Sequence, residues 1–280
     1  MNILIYGATG YIGNKLSEYL LTLGYKVGNV SRRDSLLTGI FNYNFDDDIH
    51  NVINHFLPDK IIYMSASFDN NNVSDIIDIN VKKPLAILNA LQSEAVIEFI
   101  YIGSYWQFGD AGCPNVPIDL YSASKRSMRA FFDYYNEYTQ VVCKEIVLYG
   151  TYGESDGRGK LLDYLISSVN EDKVINLTEG YQLLNLSYVG DICKEIEKLF
   201  LENNGLNFLI KSDRNYSPRD IVMNMRKIAN VKVNFGAIPY RTVELMNPVS
   251  VEGYECRIIP DSLPQYIENK FRLIKKNKEK

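Results

Sequence analysis

The chain has 280 residues, of which 46% are hydrophobic and 23% charged, and its formal net charge is −4. This composition is typical of a globular protein with one large or two smaller cores, and the slight acidic excess argues against a nucleic-acid-binding surface. The sequence contains no apolar run of about 18 residues that would span a membrane, and no basic segment that would begin a signal peptide. We therefore expect a cytoplasmic protein.

The first half of the chain alternates short β-rich runs with amphipathic helical segments, which is the pattern of parallel βαβ units. The predicted strands are 2–6, 26–30, 60–65, 98–103, 141–148 and, as an edge strand, 206–210. The two long predicted helices are 76–91 and 121–138. This alternation predicts an α/β fold, a Rossmann-type doubly wound parallel sheet of about seven strands.

The pattern loosens after residue 153, where polar loops begin. We predict a Rossmann dinucleotide-binding domain at 1–153, rejoined by about 187–211. The segments 154–186 and 212–280 are expected to form a smaller substrate-binding lobe over the carboxyl ends of the strands.

A glycine-rich turn follows the first predicted strand. Its sequence is Gly7-Ala8-Thr9-Gly10-Tyr11-Ile12-Gly13. Between a strand and a helix, such a turn lets the backbone approach a pyrophosphate, which the N–H groups of the helix N-terminus can bind. We expect this turn to bind a dinucleotide; a plain strand–helix turn is the alternative.

The end of the second strand bears on the choice of cofactor. An acidic residue there would bind the ribose 2′-hydroxyl of NAD, but this chain has Ser31, Arg32 and Arg33. A hydroxyl and two guanidinium groups suit the 2′-phosphate of NADP(H). The sequence therefore predicts NADPH rather than NADH, unless the arginines are merely solvated beside Asp34.

Histidine and cysteine are scarce. The two histidines, His50 and His55, form no zinc-binding pair, and the four cysteines include no Cys-x-x-Cys pair. The sequence thus argues against a metal site and against a His-dependent hydrolase. The chemistry that remains is one that uses Ser, Tyr and Lys with a bound cofactor.

Three residues form a candidate catalytic set. Tyr121 and Lys125 are spaced i, i+4 at the start of a predicted helix, so their side chains share one face. The cation is expected to lower the pKa of the phenol. Ser104 follows a central strand, where α/β sheets place ligand-binding groups. The alternative is a surface Tyr–Lys pair beside an ordinary loop serine.

With these residues, the chain resembles the extended short-chain dehydrogenases/reductases that modify nucleotide sugars, over essentially its whole length. The motifs that carry the resemblance are the glycine turn, Ser104…Gly109, Tyr121-x-x-x-Lys125 and Asn80, with weaker matches at 148–150 and 188–192. The segment 235–246 is similar to one in CDP-abequose and CDP-paratose synthases, which reduce a 4-keto CDP-dideoxysugar.

The resemblance implies roles for several residues. Ser104 and Tyr121 would hold the substrate carbonyl oxygen, and Lys125 would also bind the nicotinamide ribose. Ser65 and Ala66 would contact the cofactor, although the family usually has Asn-x-Ala where this chain has 65–67.

Three residues are candidate substrate contacts. Trp106 and Gln107 would line the sugar pocket, and Arg241 would contact the substrate pyrophosphate. Trp106 is equally interpretable as a packing residue, and Arg241 as a surface residue.

Departures from the family pattern favour one reaction. Sugar dehydratases that resemble this chain have an Asp-Glu pair directly after the catalytic serine, where this chain has Tyr105 and Trp106. Epimerase-reductases have a cysteine two residues after that serine, where this chain has Trp106. The sequence therefore argues against both of these reactions. The arginines after the second strand argue against the tightly held NAD of a 4-epimerase.

We therefore expect NADPH-dependent reduction of a 4-keto, CDP-linked deoxysugar, with Tyr121 as proton donor. A nucleotide-sugar 4-epimerase and a redox-inactive dinucleotide sensor are the alternatives. The resemblance also implies a homodimer that pairs through helices 76–91 and 121–138. From the charge, the hydropathy and the scarcity of histidine and cysteine, we expect no nucleic-acid or membrane partner and no bound metal.

Overall fold

The computed structural model describes residues 1–91, 97–202, 205–249 and 251–278. Within these residues the strands are β1 (Asn2–Tyr6), β2 (Lys26–Ser31), β3 (Phe41–Asn44), β4 (Lys60–Tyr63), β5 (Glu98–Ser104), β6 (Gly109–Asp110), β7 (Cys113–Pro114), β8 (Val142–Leu148), β9 (Gly150–Tyr152), β10 (Ile175–Asn176), β11 (Leu184–Tyr188), β12 (Asn207–Ser212), β13 (Asn215–Tyr216), β14 (Val233–Asn234) and β15 (Glu255–Ile259).

The α-helices of the same residues are α1 (Tyr11–Thr22), α2 (Ile49–Phe56), α3 (Val73–Ile77), α4 (Lys83–Leu91), α5 (Leu120–Tyr138), α6 (Leu161–Asn170), α7 (Val189–Leu201), α8 (Pro218–Arg226) and α9 (Leu263–Lys278). A π-helical turn (Asp78–Lys82) joins α3 to α4, and a 3₁₀ turn (Tyr105–Phe108) follows β5. No helix in the described ranges is both long and apolar enough to cross a membrane.

Eight of the described strands form one parallel sheet, in the order β15-β12-β8-β5-β4-β1-β2-β3. Strands β2 and β3 lie on one side of β1 in the sheet. Strand β4 and the later strands of the sheet lie on the other side of β1. The strand order therefore reverses between β1 and β4, and in such sheets ligands bind beyond the carboxyl ends of the strands at that point. The predicted Rossmann-type fold is confirmed, with eight strands instead of about seven.

Both edges of the sheet differ from the prediction. The short strand β3, which pairs with β2, was not predicted. At the other edge β15 pairs with β12, so the predicted edge strand at 206–210 lies inside the sheet. Because β15 falls within 212–280, that range does not belong wholly to the smaller lobe, and the rest of the predicted division stays a prediction.

The helix predicted at 76–91 is interrupted by the π-helical turn. Pro84 has no N–H to donate to the carbonyl of Asn80. The buried Tyr101 hydroxyl donates to that carbonyl instead, at 3.1 Å. The helix is therefore interrupted at a position where the Tyr101 hydroxyl of β5 replaces the missing backbone N–H donor. This hydrogen bond also holds the π-helical turn against the sheet.

Alternation along the strands fills a core on each face of the sheet. On one face, Ile3 and Ile5 pack with residues of α1 and α7. On the other, Leu4 and Tyr6 pack with residues of α2, α4 and α5. A third core gathers α6, α8 and α9 around the small sheet of β9, β11 and β13. This third core is separate from the two cores that flank the large sheet.

Candidate active site

The glycine turn is held tightly between β1 and α1. Gly7 has a φ of +94°, and a Cβ there would lie 2.9 Å from the backbone nitrogen of Ser65. A Cβ on Gly13 would lie 2.3 Å from the carbonyl oxygen of Gly7. Gly10 caps α1 without a side-chain hydrogen bond, so N–H groups of the first helical turn remain available to an anion.

A cavity of about 510 Å³ opens beside this turn, at the point where the strand order reverses. The predicted cofactor residues that line it are Gly7, Thr9, Gly10, Ser31, Arg32, Arg33, Ser65 and Ala66. Three loops, after β1, β2 and β4, thus bring these residues together. Of the other predicted cofactor residues, Tyr11, Ile12 and Gly13 form the first turn of α1. These three residues, together with Tyr121 and Lys125, are not among the lining residues.

The cavity fits a dinucleotide that carries a phosphate on its ribose. Ser31 is buried, and its hydroxyl has no hydrogen-bond partner. Arg32 and Arg33 are exposed beside it, and the Asn29 side chain donates to the Arg33 carbonyl at 3.2 Å. An unpaired buried hydroxyl beside two guanidinium groups is a suitable site for a phosphate oxygen.

Local capping places Tyr121 in the first turn of α5. The Asp119 carboxylate accepts from the Ser122 N–H at 2.7 Å, which caps the helix. The Asn70 side chain accepts from the Tyr121 N–H at 2.9 Å, and the Phe68 ring lies 4.6 Å from the Tyr121 ring. Sequence reasoning missed Phe68 and Asn70, although both follow a central strand, as ligand-binding residues do.

Ser104 lies at the carboxyl end of β5, and its side chain is hydrogen bonded to the side chain of Tyr121. The Ser104 hydroxyl accepts from the Trp106 N–H at 3.4 Å. Burial raises the pKa of Tyr121 to about 12, while the hydrogen bond with Ser104 acts to lower it. Tyr121 is therefore a neutral phenol near pH 7, in the form that can donate a proton.

The pKa of Tyr121 is raised, whereas the spacing predicted that Lys125 would lower it. The Lys125 ammonium donates to the Ile102 carbonyl at 2.9 Å and lies 4.3 Å from the centre of the Tyr101 ring. The side chain is 2% exposed, and burial lowers its pKa to about 7, against the charge of Glu145. The Lys125 side chain thus reaches the backbone of β5, where its ammonium has the Ile102 carbonyl as acceptor.

The structure corrects one predicted substrate contact. Gln107 is 1% exposed, and its side chain accepts from the Ser104 N–H at 3.1 Å and donates to Glu145 at 2.8 Å. Both ends of the amide are occupied, so it lies behind the site and does not line a sugar pocket.

The other two substrate contacts stay predictions. Trp106 is half-buried beside Tyr105. Arg241 is exposed and acts to lower the pKa of Tyr105, against burial and Glu244. Its charge therefore reaches the turn after Ser104, which is where a substrate contact is expected. Within the described segments, no three His, Cys, Asp or Glu side chains gather as metal ligands.

The comparison of the sequence with known families decides the relationship. Residues 3–207 match the NAD dependent epimerase/dehydratase family. The chain belongs to this family. The match covers the glycine turn and all three candidate catalytic residues, and it ends at the first residue of β12.

Among members of the epimerase/dehydratase family, the chain is similar to CDP-abequose synthases. The one from Yersinia pseudotuberculosis is 30% identical, over 97% of this chain and 100% of that protein. The one from Salmonella muenchen is 23% identical, over 87% of each chain. The resemblance expected from the motifs is confirmed.

Solved structures of nucleotide-sugar epimerases share the fold. A UDP-glucuronic acid 4-epimerase from Bacillus cereus, in complex with UDP-glucuronic acid and NAD, superposes with a TM-score of 0.81 at 17% identity, covering 99% of this chain and 100% of that one. A UDP-N-acetylglucosamine 4-epimerase from Methanobrevibacter ruminantium gives a TM-score of 0.82 at 12% identity, covering 99% and 98%. At these identities the superpositions establish the fold alone.

Proposed function

We propose that this protein is a cytoplasmic, NADPH-dependent reductase of a 4-keto nucleotide-linked deoxysugar, with CDP as the nucleotide. The observation that carries the proposal is the hydrogen bond between Ser104 and a neutral Tyr121, at the carboxyl end of β5. The 30% identity to a CDP-abequose synthase over the whole length supports the substrate class.

In the proposed reaction, a ketone carbon accepts hydride while its oxygen accepts a proton. NADPH, when bound, supplies the hydride. The Tyr121 hydroxyl donates its proton to the oxygen as negative charge develops there, and the Ser104 hydroxyl donates a hydrogen bond to the same oxygen. As the resemblance to the family implies, the Lys125 ammonium would bind the ribose of the cofactor. The product is the alcohol, and Tyr121 is left as a phenolate that solvent reprotonates.

Ser31, Arg32 and Arg33 support NADPH as the cofactor. All three line the cavity, and the buried Ser31 hydroxyl is without a partner. These groups bind a 2′-phosphate dianion through charge-assisted hydrogen bonds, whereas the 2′-hydroxyl of NAD leaves both positive charges unpaired.

A second copy of the chain is the proposed macromolecular partner. The outer faces of α4 and α5 expose an apolar surface, lined by Leu85, Ala86, Ala130, Phe131 and Tyr134. Phe131 is 37% exposed and Tyr134 is 53% exposed. Two such surfaces bury each other when the helix pairs meet about a two-fold axis.

An assay of cofactor consumption tests the proposed function. Purified protein is mixed with NADPH or NADH and with CDP-, dTDP-, UDP- or GDP-linked 4-keto sugars, and both cofactor absorbance and sugar products are measured. We expect NADPH to be oxidised in proportion to alcohol formed, with the CDP sugar the best substrate. Interconversion of 4-epimers without net NADPH loss would identify an epimerase, and cofactor binding without any turnover would identify a sensor.

A further inference from the structure

A carboxylate is buried directly behind the candidate active site. Glu145 belongs to β8 and is 1% exposed. It lies opposite Tyr101 in the register of β5 and β8. The proposed reaction does not use Glu145, yet a buried charge is costly unless it is paired and hydrogen bonded.

The backbone of β5 leaves room for this carboxylate. A Cβ on Gly103 would lie 2.8 Å from Glu145 Oε1 and 2.9 Å from Gln107 Oε1. Any larger residue at position 103 would therefore displace one of these groups. Position 103, directly before Ser104, is therefore a glycine because the side chains of Glu145 and Gln107 occupy the space that a Cβ would need.

Each oxygen of the carboxylate has a donor. Gln107 donates to Oε1 at 2.8 Å, and the carbonyl oxygen of the same amide accepts from the Ser104 N–H at 3.1 Å. The Tyr254 hydroxyl donates to Oε2 in a short hydrogen bond. A continuous chain of hydrogen bonds thus leads from Glu145 through Gln107 to the backbone of Ser104.

Several charged or titratable groups face the carboxylate. Tyr101 of β5, Tyr254 and Lys125 each interact with it electrostatically. An Arg129 nitrogen of α5 lies 4.0 Å away, and Arg129 also pairs with Asp133 at 2.8 Å. Burial raises the pKa of Glu145, whereas its hydrogen bonds with Gln107 and Tyr254 and the two cations lower it.

The same charge acts on Lys125. This ammonium is as deeply buried as the carboxylate, and in the described part of the chain its acceptor is the Ile102 carbonyl. Burial lowers the pKa of Lys125 to about 7, and the negative charge of Glu145 opposes that change. Without this charge, the lysine would lose its proton at a lower pH.

We propose that Glu145 is a positioning residue, which orients Ser104 through Gln107 and keeps Lys125 in its ammonium form. The inference rests on the proposed function, because that reaction needs an oriented Ser104 and a charged Lys125. By this proposal, Glu145 of β8 supports the active site, and so does Tyr254, which lies directly before β15 and donates to Glu145.

Titration of Lys125 by NMR tests the electrostatic part without any substrate. The protein is labelled with carbon-13 lysine, and the Lys125 signal is identified by its absence from Lys125→Met. In Glu145→Gln, which keeps the shape but removes the charge, we expect the midpoint to move about one pH unit lower. In Glu145→Asp, which keeps the charge, we expect it to stay within half a unit of wild type. A shift below half a unit in Glu145→Gln would overturn the proposal.

Kinetics test the positioning part. In Glu145→Gln, the alkaline limb of the pH profile of kcat/KM should move to lower pH by the same amount as the NMR midpoint. Gln107→Leu removes the hydrogen bonds that join Ser104 to Glu145 and keeps the carboxylate. It should lower kcat at least about tenfold and leave KM within threefold of wild type. This variant tests the positioning role even if Glu145→Gln does not fold. An unchanged kcat in Gln107→Leu would overturn this part. If wild type reduces none of the sugars while the NMR shift is seen, the proposed function alone has failed.

Discussion

The side-chain amide of Asn80 donates to the Ser124 hydroxyl at 2.9 Å, and this contact joins the π-helical turn to the helix that carries Tyr121 and Lys125. The same amide donates to the Ser67 carbonyl at 3.0 Å, and its oxygen accepts from the Ser67 N–H at 2.9 Å. Asn80 is fully buried. One side chain therefore connects the loop after β4, which lines the cofactor cavity, with the residue before Lys125.

Replacing Asn80 is expected to destabilise the protein. Asn80→Ala leaves the buried N–H and carbonyl of Ser67 unpaired, which should lower the free energy of unfolding by about 3 kcal/mol. Ser124→Ala removes one hydroxyl from the same network and should cost about 1 kcal/mol. Urea unfolding measures both changes. Equal, small losses in the two variants would show that Asn80 does not organise this network.

Replacing Tyr121 tests the proton donor. Tyr121→Phe keeps the ring against Phe68 and should leave folding and NADPH binding nearly intact, while turnover falls about 10²–10⁴-fold. Tyr138→Phe, at the exposed end of the same helix, should retain full activity. The measurement is ketone-dependent NADPH oxidation. Turnover of Tyr121→Phe within a few-fold of wild type would assign the acid to another group.

Replacing Arg32 tests the cofactor preference. Wild type should bind NADPH at least about tenfold more tightly than NADH, which is about 1.4 kcal/mol. Arg32→Ala should remove most of that difference, because one charge-assisted contact contributes about 1.5–3 kcal/mol. Arg272→Ala, on the exposed face of α9, is the control and should keep the preference. Equal affinities in wild type would contradict the role of the residues after β2.

The burial of Lys125 predicts how stability depends on pH. Its pKa is about 7 in the folded protein and about 10.4 in an unfolded chain. Below pH 7 both states hold the proton, and the burial penalty is constant. Between these values the unfolded chain holds more protons, so a rise in pH favours the folded state.

Wild type should therefore gain about 2 kcal/mol of stability relative to Lys125→Met between pH 7 and pH 9. Chemical unfolding at the two pH values measures the difference. Lys198→Met, which removes an exposed lysine of α7, should follow wild type. A constant difference between wild type and Lys125→Met would show that burial does not lower the pKa of Lys125 in the folded protein.

A charge on the apolar surface of α4 and α5 tests the homodimer. Phe131→Glu places a carboxylate on this surface. A carboxylate cannot be buried there without a partner, so sedimentation should show a monomer where wild type is a dimer. Tyr164→Glu, on α6 and similarly exposed, is the matched control and should leave the dimer intact. Wild type that sediments as a monomer at micromolar concentration would refute the dimer and leave the fold unaffected.

Much of the site could be predicted from local patterns. The glycine turn, the serine after β5 and the Tyr121–Lys125 pair are each defined by short spacings next to a strand or at a helix start. Steric and hydrogen-bonding rules act over the same few residues. The inner strands were recognisable because both of their faces are buried, so they are rich in apolar residues, although β8 also contains the buried Lys144 and Glu145.

The edges of the sheet and the direction of buried polar groups could not be predicted in this way. Strands β3 and β15 are mostly exposed, so no apolar pattern marks them, and they form because a neighbouring strand offers free backbone groups. Lys125 turns to the Ile102 carbonyl, and Gln107 to Glu145, because those partners lie 23 and 38 residues away along the chain. Local spacing in the sequence determines which face of its helix or turn each of these side chains lies on. Only the tertiary structure determines their hydrogen-bond partners, because the Ile102 carbonyl and the Glu145 carboxylate are brought to them by the folding of the sheet.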